Sequence, residues 1–137
     1  MTILVDTSAL FALGNADDRH NAEVSALVNN ATEPLVVPIT VLPEACYLYR
    51  TRLGYHAEIA LITSLASGEL LLEQVALADV QRAVELMGDY ADARLGFVDS
   101  SVVAIAERLN IRRIATLDRR DFSIVRPRHC PAFTLLP

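Results

Sequence analysis

Residues 3–13 read Ile-Leu-Val-Asp-Thr-Ser-Ala-Leu-Phe-Ala-Leu, and this stretch sets the pattern for the rest of the chain. Ile3-Leu4-Val5 is a short apolar run that is typical of a buried strand. Thr7 and Ser8 supply the N-cap chemistry that starts a helix, which we predict over residues 9–13. A carboxylate, Asp6, therefore lies where the strand ends and the helix begins.

Apolar runs and helical patterns go on alternating along the chain. Further strands are predicted at residues 35–37, 70–72 and 113–116, with a short edge strand at 133–135. Further helices are predicted at about 19–28, 41–53 (capped by Thr40), 56–66, 79–90 and 97–109. Strands separated by helices favour an α/β fold whose mostly parallel sheet has helices on both faces. The length of 137 residues fits a single domain, residues 1–137.

Composition excludes several classes of protein. Hydrophobic residues make up 53 % of the chain and the mean hydropathy is +0.33, which is too apolar for a disordered protein. No run approaches the ~20 apolar residues of a membrane span, and no basic region precedes Asp6, so we expect neither a span nor a signal peptide. Cys46 and Cys130 are far apart and lack metal-ligand spacing, which suits a reducing cytoplasm.

The charges are unevenly distributed. All 12 basic residues are arginine, which excludes a P-loop and any mechanism built on a catalytic lysine. Residues 1–93 carry 4 arginines and 13 acids, whereas residues 94–137 carry 8 arginines and 4 acids. The acidic total argues against nucleic-acid binding, but a local basic field of this kind can still hold phosphates. A solvated arginine face is the plainer interpretation of charge alone.

Four carboxylates stand in apolar surroundings, where an ionised acid is costly unless it is paired or bound to a metal. They are Asp6, Glu44, Asp99 and Asp118. Asp6 and Asp118 follow predicted strands, and Glu44 and Asp99 lie in the first turns of predicted helices. The ends of strands and the starts of helices share one edge of an α/β sheet, and ligands bind at that edge. Stabilisation by helix dipoles would explain Glu44 and Asp99 but explains Asp6 and Asp118 poorly. Other acids are expected in solvated loops or at caps: Asp17, Asp18, Asp79 and Asp89.

Acids brought together in this way repel one another, so they favour either protonation or a cation. Oxygen ligands without cysteine or histidine select Mg²⁺ or Mn²⁺, which predicts metal-assisted hydrolysis of a phosphodiester. Ser8 and Thr116 are candidates to hydrogen-bond the metal shell or a phosphate, and Arg119 is a candidate to orient a phosphate. The three histidines lack the setting of a general base, which disfavours a histidine-driven ribonuclease mechanism.

Four motifs resemble those of the PIN domain, and more closely those of VapC-type toxins of bacterial toxin–antitoxin pairs. The motifs are residues 3–10, Pro43-Glu44, residues 97–100 and residues 116–122. The resemblance implies a three-layer α/β/α sandwich around a mostly parallel sheet, Mg²⁺-dependent cleavage of RNA, and a cognate VapB-like antitoxin. By position, Asp6, Glu44, Asp99 and Asp118 match the family's acidic quartet, and Asp6 and Asp99 match its principal metal ligands. Asp121 and Asp92 are nearby acids whose part in the site stays open.

Two other functions compete with this interpretation. A phosphoaspartate receiver domain also carries acids at strand ends, but the patterns of such domains include a lysine after the last strand, and this chain has no lysine. A non-catalytic binding module could use the acidic crevice to receive arginine side chains of a partner. Apolar helical faces in so small a chain also lead us to expect a homodimer.

Overall fold

The computed structural model describes residues 2–137, which build one five-stranded sheet. The strands are β1 Ile3–Val5, β2 Leu35–Pro38, β3 Leu71–Glu73, β4 Arg113–Ala115 and β5 Thr134–Leu136. Their order is β3-β2-β1-β4-β5, and every pair of neighbours is parallel. The prediction of a mostly parallel sheet is therefore confirmed, and β1 occupies its centre.

Seven α-helices connect the strands of the described chain. They are α1 Thr7–Gly14, α2 Asn21–Asn30, α3 Leu42–Leu48, α4 Tyr55–Ala66, α5 Leu77–Asp89, α6 Phe97–Leu109 and α7 Arg119–Ile124. A π-helical turn, Tyr49–Leu53, continues α3, and a 3₁₀ turn, Ala91–Ala93, precedes α6. Among residues 2–137, no helix combines the length and the apolar character that crossing a bilayer requires.

The core lies on both faces of the central strands. Residues of β1 and β2 are buried along the full length of each strand, as expected for parallel strands covered on both faces. Helix α6 is buried from Ser100 to Ala106, because its small and β-branched residues let it pack closely. The ends of β1 and the start of α6 are therefore held by well-packed structure, which fixes the positions of Asp6 and Asp99.

Two predictions about helix starts are wrong. The N-cap of α1 is Asp6, whose side chain accepts a hydrogen bond from the Ala9 backbone N–H at 3.2 Å, in place of the predicted Thr7 and Ser8. Aspartate caps helices as well as serine does, so the cap moves by one residue without loss. Thr40 does not cap α3, because its hydroxyl lies 2.6 Å from the Ser101 hydroxyl and forms a tertiary contact with α6.

Candidate active site

A cleft of about 430 Å³ opens at the carboxyl edge of the sheet. The end of β1, the first turns of α1, α3 and α6, and the loop after β4 form its walls. All four acids singled out in the sequence contribute to its lining: Asp6, Glu44, Asp99 and Asp118. The convergence of these distant carboxylates, which the sequence analysis inferred from strand and helix ends, is thus present in the structure.

Asp6 is the most deeply buried acid of the cleft, with 4 % of its surface exposed. Its Oδ1 atom accepts hydrogen bonds from the Ser8 hydroxyl at 2.7 Å and the Ala9 N–H at 3.2 Å. Its Oδ2 atom accepts a hydrogen bond from the Thr116 hydroxyl at 2.6 Å. Burial raises the pKa of Asp6, and the hydrogen bonds from Thr116, Ser8 and Ala9 oppose that rise because they stabilise the ionised form.

Ser8 and Thr116 link the two segments that carry Asp6 and Asp118. The Ser8 hydroxyl accepts the Leu117 N–H at 2.9 Å, and the Thr116 hydroxyl accepts the Asp118 N–H at 2.9 Å. A hydroxyl has one proton to donate, and the ionised Asp6 carboxylate can only accept, so each of these two hydroxyls donates to Asp6. Both residues therefore orient the acids, and their predicted contacts with metal shell or phosphate stay predictions.

Three aspartates form the densest group of acids at the cleft. Asp99, Asp118 and Asp121 each place a carboxylate oxygen so that these atoms lie within 4.8 Å of one another. Burial raises the pKa of Asp99 to about 7, and the charges of Asp118, Asp6 and Asp121, with a hydrogen bond to Asp121, add to the rise. Without a cation, this group relieves its repulsion by keeping a proton.

Asp121, whose part in the site the sequence leaves open, belongs to this group. It lies in the first turn of α7, a helix of six residues that was not predicted. The available signal was its spacing: an acid three residues after Asp118 faces the same side once the segment is helical. Asp92, the other open acid, is exposed in the 3₁₀ turn and is absent from the cleft lining.

The remaining candidates lie at the rim. Glu44 is exposed in the first turn of α3 and lines the cleft wall. Arg119 is exposed at the start of α7, next to Asp118, and its guanidinium donates a hydrogen bond to the Pro137 carbonyl. Arg113, at the opposite end of β4, pairs with Glu33 at 2.7 Å and has a structural role there.

The donor chemistry of the cleft suits a hard divalent cation. Within the described chain, the lining consists of carboxylates, hydroxyls and apolar side chains, without cysteine or histidine. Oxygen-only ligand sets are those that Mg²⁺ and Mn²⁺ prefer, whereas zinc sites draw on cysteine and histidine. Asp6, Asp99, Asp118 and Asp121 are the residues that could hold such an ion.

The chain matches a known protein family and is similar in sequence to characterised proteins. Residues 3–126 match the family described as the PIN domain. Ribonuclease VapC26 of Mycobacterium tuberculosis (strain H37Rv) is 38 % identical over 135 residues, covering 98 % of this chain and 100 % of that protein. The 23S rRNA-specific endonuclease VapC20 of M. tuberculosis is 31 % identical over 123 residues, covering 88 % of this chain and 92 % of that protein.

Solved structures share the fold. The crystal structure of M. tuberculosis VapC20, described as a Sarcin-Ricin loop cleaving toxin, superimposes with a TM-score of 0.77 at 27 % identity, covering 82 % of this chain and 86 % of that chain. A toxin–antitoxin complex from Klebsiella pneumoniae superimposes with a TM-score of 0.70 at 19 % identity, covering 90 % of this chain and 92 % of that chain. The α/β sandwich and its parallel sheet are therefore common to all of them.

Proposed function

The chain belongs to the PIN domain family, among the VapC ribonucleases, and from this premise we propose that it is a divalent-metal-dependent endoribonuclease. We further propose that it acts as the toxin of a VapBC-type toxin–antitoxin pair. The two competing interpretations, a phosphoaspartate receiver and a non-catalytic binding module, are not favoured because the curated relatives are nucleases.

The observation that carries this proposal is the group of carboxylates at the carboxyl edge of the sheet. Asp99, Asp118 and Asp121 bring oxygens within 4.8 Å of one another, and Asp6 lines the same cleft. We assign Asp6 and Asp99 as the principal ligands of Mg²⁺, with Mn²⁺ as the other ion that suits these oxygens. Such an ion supplies a water of lowered pKa and positive charge for the oxyanions of an in-line displacement.

The side chains around these ligands divide the remaining tasks. Ser8 and Thr116 hold the Asp6 carboxylate by 2.7 Å and 2.6 Å hydrogen bonds, so it needs no reorganisation when a cation arrives. We propose that Glu44, exposed in the cleft wall, orients the attacking water and that Asp118 completes the acidic pocket. Arg119 follows Asp118 in the chain, and we propose that its guanidinium leaves the Pro137 carbonyl to contact a phosphate of the RNA.

Attack by a metal-activated water defines the products. Such a water needs no help from the ribose 2′-hydroxyl, so cleavage leaves a 5′-phosphate and a 3′-hydroxyl. A mechanism that used the 2′-hydroxyl would leave a 2′,3′-cyclic phosphate instead. End-group analysis of the RNA fragments therefore tests the proposed chemistry without any assumption about the sequence that is cut.

The partners follow from the same proposal. We propose a small VapB-like antitoxin as the inhibitor, by analogy with the toxin–antitoxin complex of similar fold. We also propose a homodimer, since α5 exposes apolar side chains such as Leu77 and Val84. The RNA substrate would be met in the cytoplasm. Sedimentation that finds only monomer at micromolar concentration would refute the dimer.

Replacement of the principal ligands tests the catalytic proposal. Asp6→Asn and Asp99→Asn should abolish RNA cleavage in Mg²⁺, because an amide oxygen carries no charge for the cation. Asparagine also caps helices, so Asp6→Asn should leave α1 folded, which circular dichroism would verify. Asp17→Asn, which removes an exposed acid outside the cleft, is the matched control and should cleave at the wild-type rate. An Asp99→Asn enzyme that cuts normally would refute the proposal.

Asp121 is tested by metal affinity. Asp121→Asn should weaken Mn²⁺ binding because it removes one of three clustered carboxylates. Asp92→Asn, which removes an exposed acid outside the cleft, should leave the affinity unchanged. Titration calorimetry on the two variants separates these cases, and equal affinities would exclude Asp121 from the ligand set.

A further inference from the structure

An aromatic side chain stands exposed in the wall of the acidic cleft. Phe97, the first residue of α6, has 41 % of its surface exposed and lines the cleft two residues before Asp99. In the described part of the chain, its ring takes part in none of the aromatic pairs, which involve other residues. Within the described residues, Phe97 belongs neither to the hydrophobic core nor to the partly buried side chains that pack against it.

The residues on either side of Phe97 hold it in place. Leu95 is 3 % exposed in the core, and Val98 packs against the core from the first turn of α6. Arg94, with φ of 55°, makes the left-handed turn that leads the chain into this anchored segment. The backbone that carries the ring is therefore already fixed in the free protein. Binding of a ligand to the ring then costs little backbone conformational entropy.

Gly96 leaves open space in the wall of the same cleft. Its φ of −80° is available to any residue, so backbone conformation does not require glycine here. Apart from its two chain neighbours, no heavy atom lies within 4 Å of the place that a Cβ atom would take, so close packing does not require glycine either. Because Gly96 lines the cleft and precedes Phe97 in the chain, the missing side chain keeps this part of the wall accessible to a ligand.

The chemistry of this surface matches an unpaired nucleobase. Bases that are splayed out of RNA loops stack on aromatic side chains, and this stacking tolerates any base because each has a π-face. The cleft itself is lined by acids, which repel the phosphate backbone of RNA. A contact with the uncharged base therefore adds to the affinity without adding to this repulsion. Double-stranded RNA keeps its bases stacked and offers no free face to the ring.

We propose that Phe97 and Gly96 form a platform on which one unpaired base of the RNA stacks, next to the phosphate that is cut at the acids. The inference rests on the proposed ribonuclease function and deepens it, because it assigns to the Phe97 ring a direct contact with the substrate. Phe97 is then a positioning residue for the substrate.

Fluorescence provides the first test. The chain has no tryptophan, so Phe97→Trp places a single indole at the platform. In an Asp6→Asn background that stops cleavage, a hairpin RNA with an unpaired purine loop should quench this fluorescence. The same RNA with an abasic loop position, or paired as a duplex, should quench it much less. Ile62→Trp, on α4, is the control: Ile62 is 42 % exposed and does not line the cleft, so this variant should respond to neither RNA.

Steady-state kinetics on the hairpin RNA provides the second test. Phe97→Leu keeps an apolar side chain but removes the ring, and should raise KM by about 5- to 150-fold with kcat little changed. Phe97→Tyr, which restores a ring, should recover the wild-type KM. Gly96→Val should raise KM as Phe97→Leu does, because its side chain would narrow the cleft at the residue before Phe97.

The outcomes separate this inference from the function on which it rests. If the wild-type enzyme cuts the hairpin and Phe97→Leu leaves KM unchanged, the platform is refuted while the ribonuclease stands. If duplex and loop RNA quench Phe97→Trp equally, the platform is refuted as well. If Phe97→Leu weakens binding of the antitoxin and not of RNA, the ring belongs to a protein interface. Failure of the wild-type enzyme to cut any RNA in Mg²⁺ would instead refute the proposed function.

Discussion

The metal-free protein should become less stable as the pH rises towards neutrality, because Asp99 holds a proton in the folded state. The pKa of Asp99 is about 7 in the fold, against an ordinary value of 3.8. Between these values the folded protein binds a proton that the unfolded chain has released, so stability falls as the pH rises. The stabilising contribution of protonated Asp99 is fully present below the pKa of the unfolded chain. It is lost as the pH rises through the pKa of the folded protein.

The size of this loss of stability follows from the pH range between the unfolded and the folded pKa of Asp99. Each pKa unit corresponds to about 1.4 kcal/mol, so the two units between about pH 5 and about pH 7 set an upper limit of roughly 3 kcal/mol. Asp99 is half-buried, and the water that reaches it screens the repulsion from its neighbours, which reduces the expected loss to roughly 1–2 kcal/mol. Asp6, whose pKa is also raised by burial, adds to the loss in the same direction.

Urea unfolding in the presence of a chelator measures this loss. The free energy of unfolding should fall from about pH 5 to about pH 8 in the wild-type protein, and less steeply in Asp99→Asn. Asp17→Asn should retain the wild-type slope. Saturating Mn²⁺ should remove the fall, because a cation that binds the ionised carboxylates stabilises the folded state most at higher pH. Identical slopes for wild type and Asp99→Asn would refute the reasoning.

Two further predictions concern positions whose surroundings the structure defines. Thr116→Val removes the 2.6 Å hydrogen bond to Asp6, so Mn²⁺ affinity in titration calorimetry should fall about 10- to 100-fold, whereas Thr116→Ser should stay near the wild-type value. Gly14→Ala should lower the free energy of unfolding by about 1–3 kcal/mol, because its Cβ would overlap the buried ring of Tyr49. Gly88→Ala, with nothing within 4 Å of its Cβ, should raise it by about 0.5–1 kcal/mol, and similar effects at the two glycines would contradict this account.

The sheet and the acidic cleft could be predicted because each depends on short-range sequence. A parallel strand covered on both faces is a continuous apolar run, and Ile3–Val5 matches the predicted strand residue for residue. The strand predicted at 70–72 is observed at Leu71–Glu73, a shift of one residue. An acid that follows such a run must lie at the carboxyl edge, so Asp6 and Asp118 were located without knowledge of any tertiary contact.

Features that depend on distant partners could not be predicted. Asp79 was expected in a solvated or capping position, and it does cap α5 by accepting the Ala76 N–H at 2.8 Å. It is nevertheless buried, because Arg108 of α6 pairs with it at 3.0 Å. Helix α7 is too short for an apolar period, so the turn that brings Asp121 to the cleft had no pattern of its own.

The contacts of Asp6 and Asp99 make the two principal acids unequal, and this inequality determines how the site responds to pH. Three hydrogen-bond donors favour the ionised form of Asp6 against its burial, whereas burial and then the charges of neighbouring acids both favour the protonated form of Asp99. A cation that enters the cleft must therefore displace a proton chiefly from Asp99, so its affinity should rise with pH through neutrality. In the same pH range the metal-free fold is weakened by the same carboxylate. A bound cation should relieve the burial and repulsion that weaken the metal-free fold near neutral pH, and the hydroxyls of Ser8 and Thr116 already orient Asp6 for it.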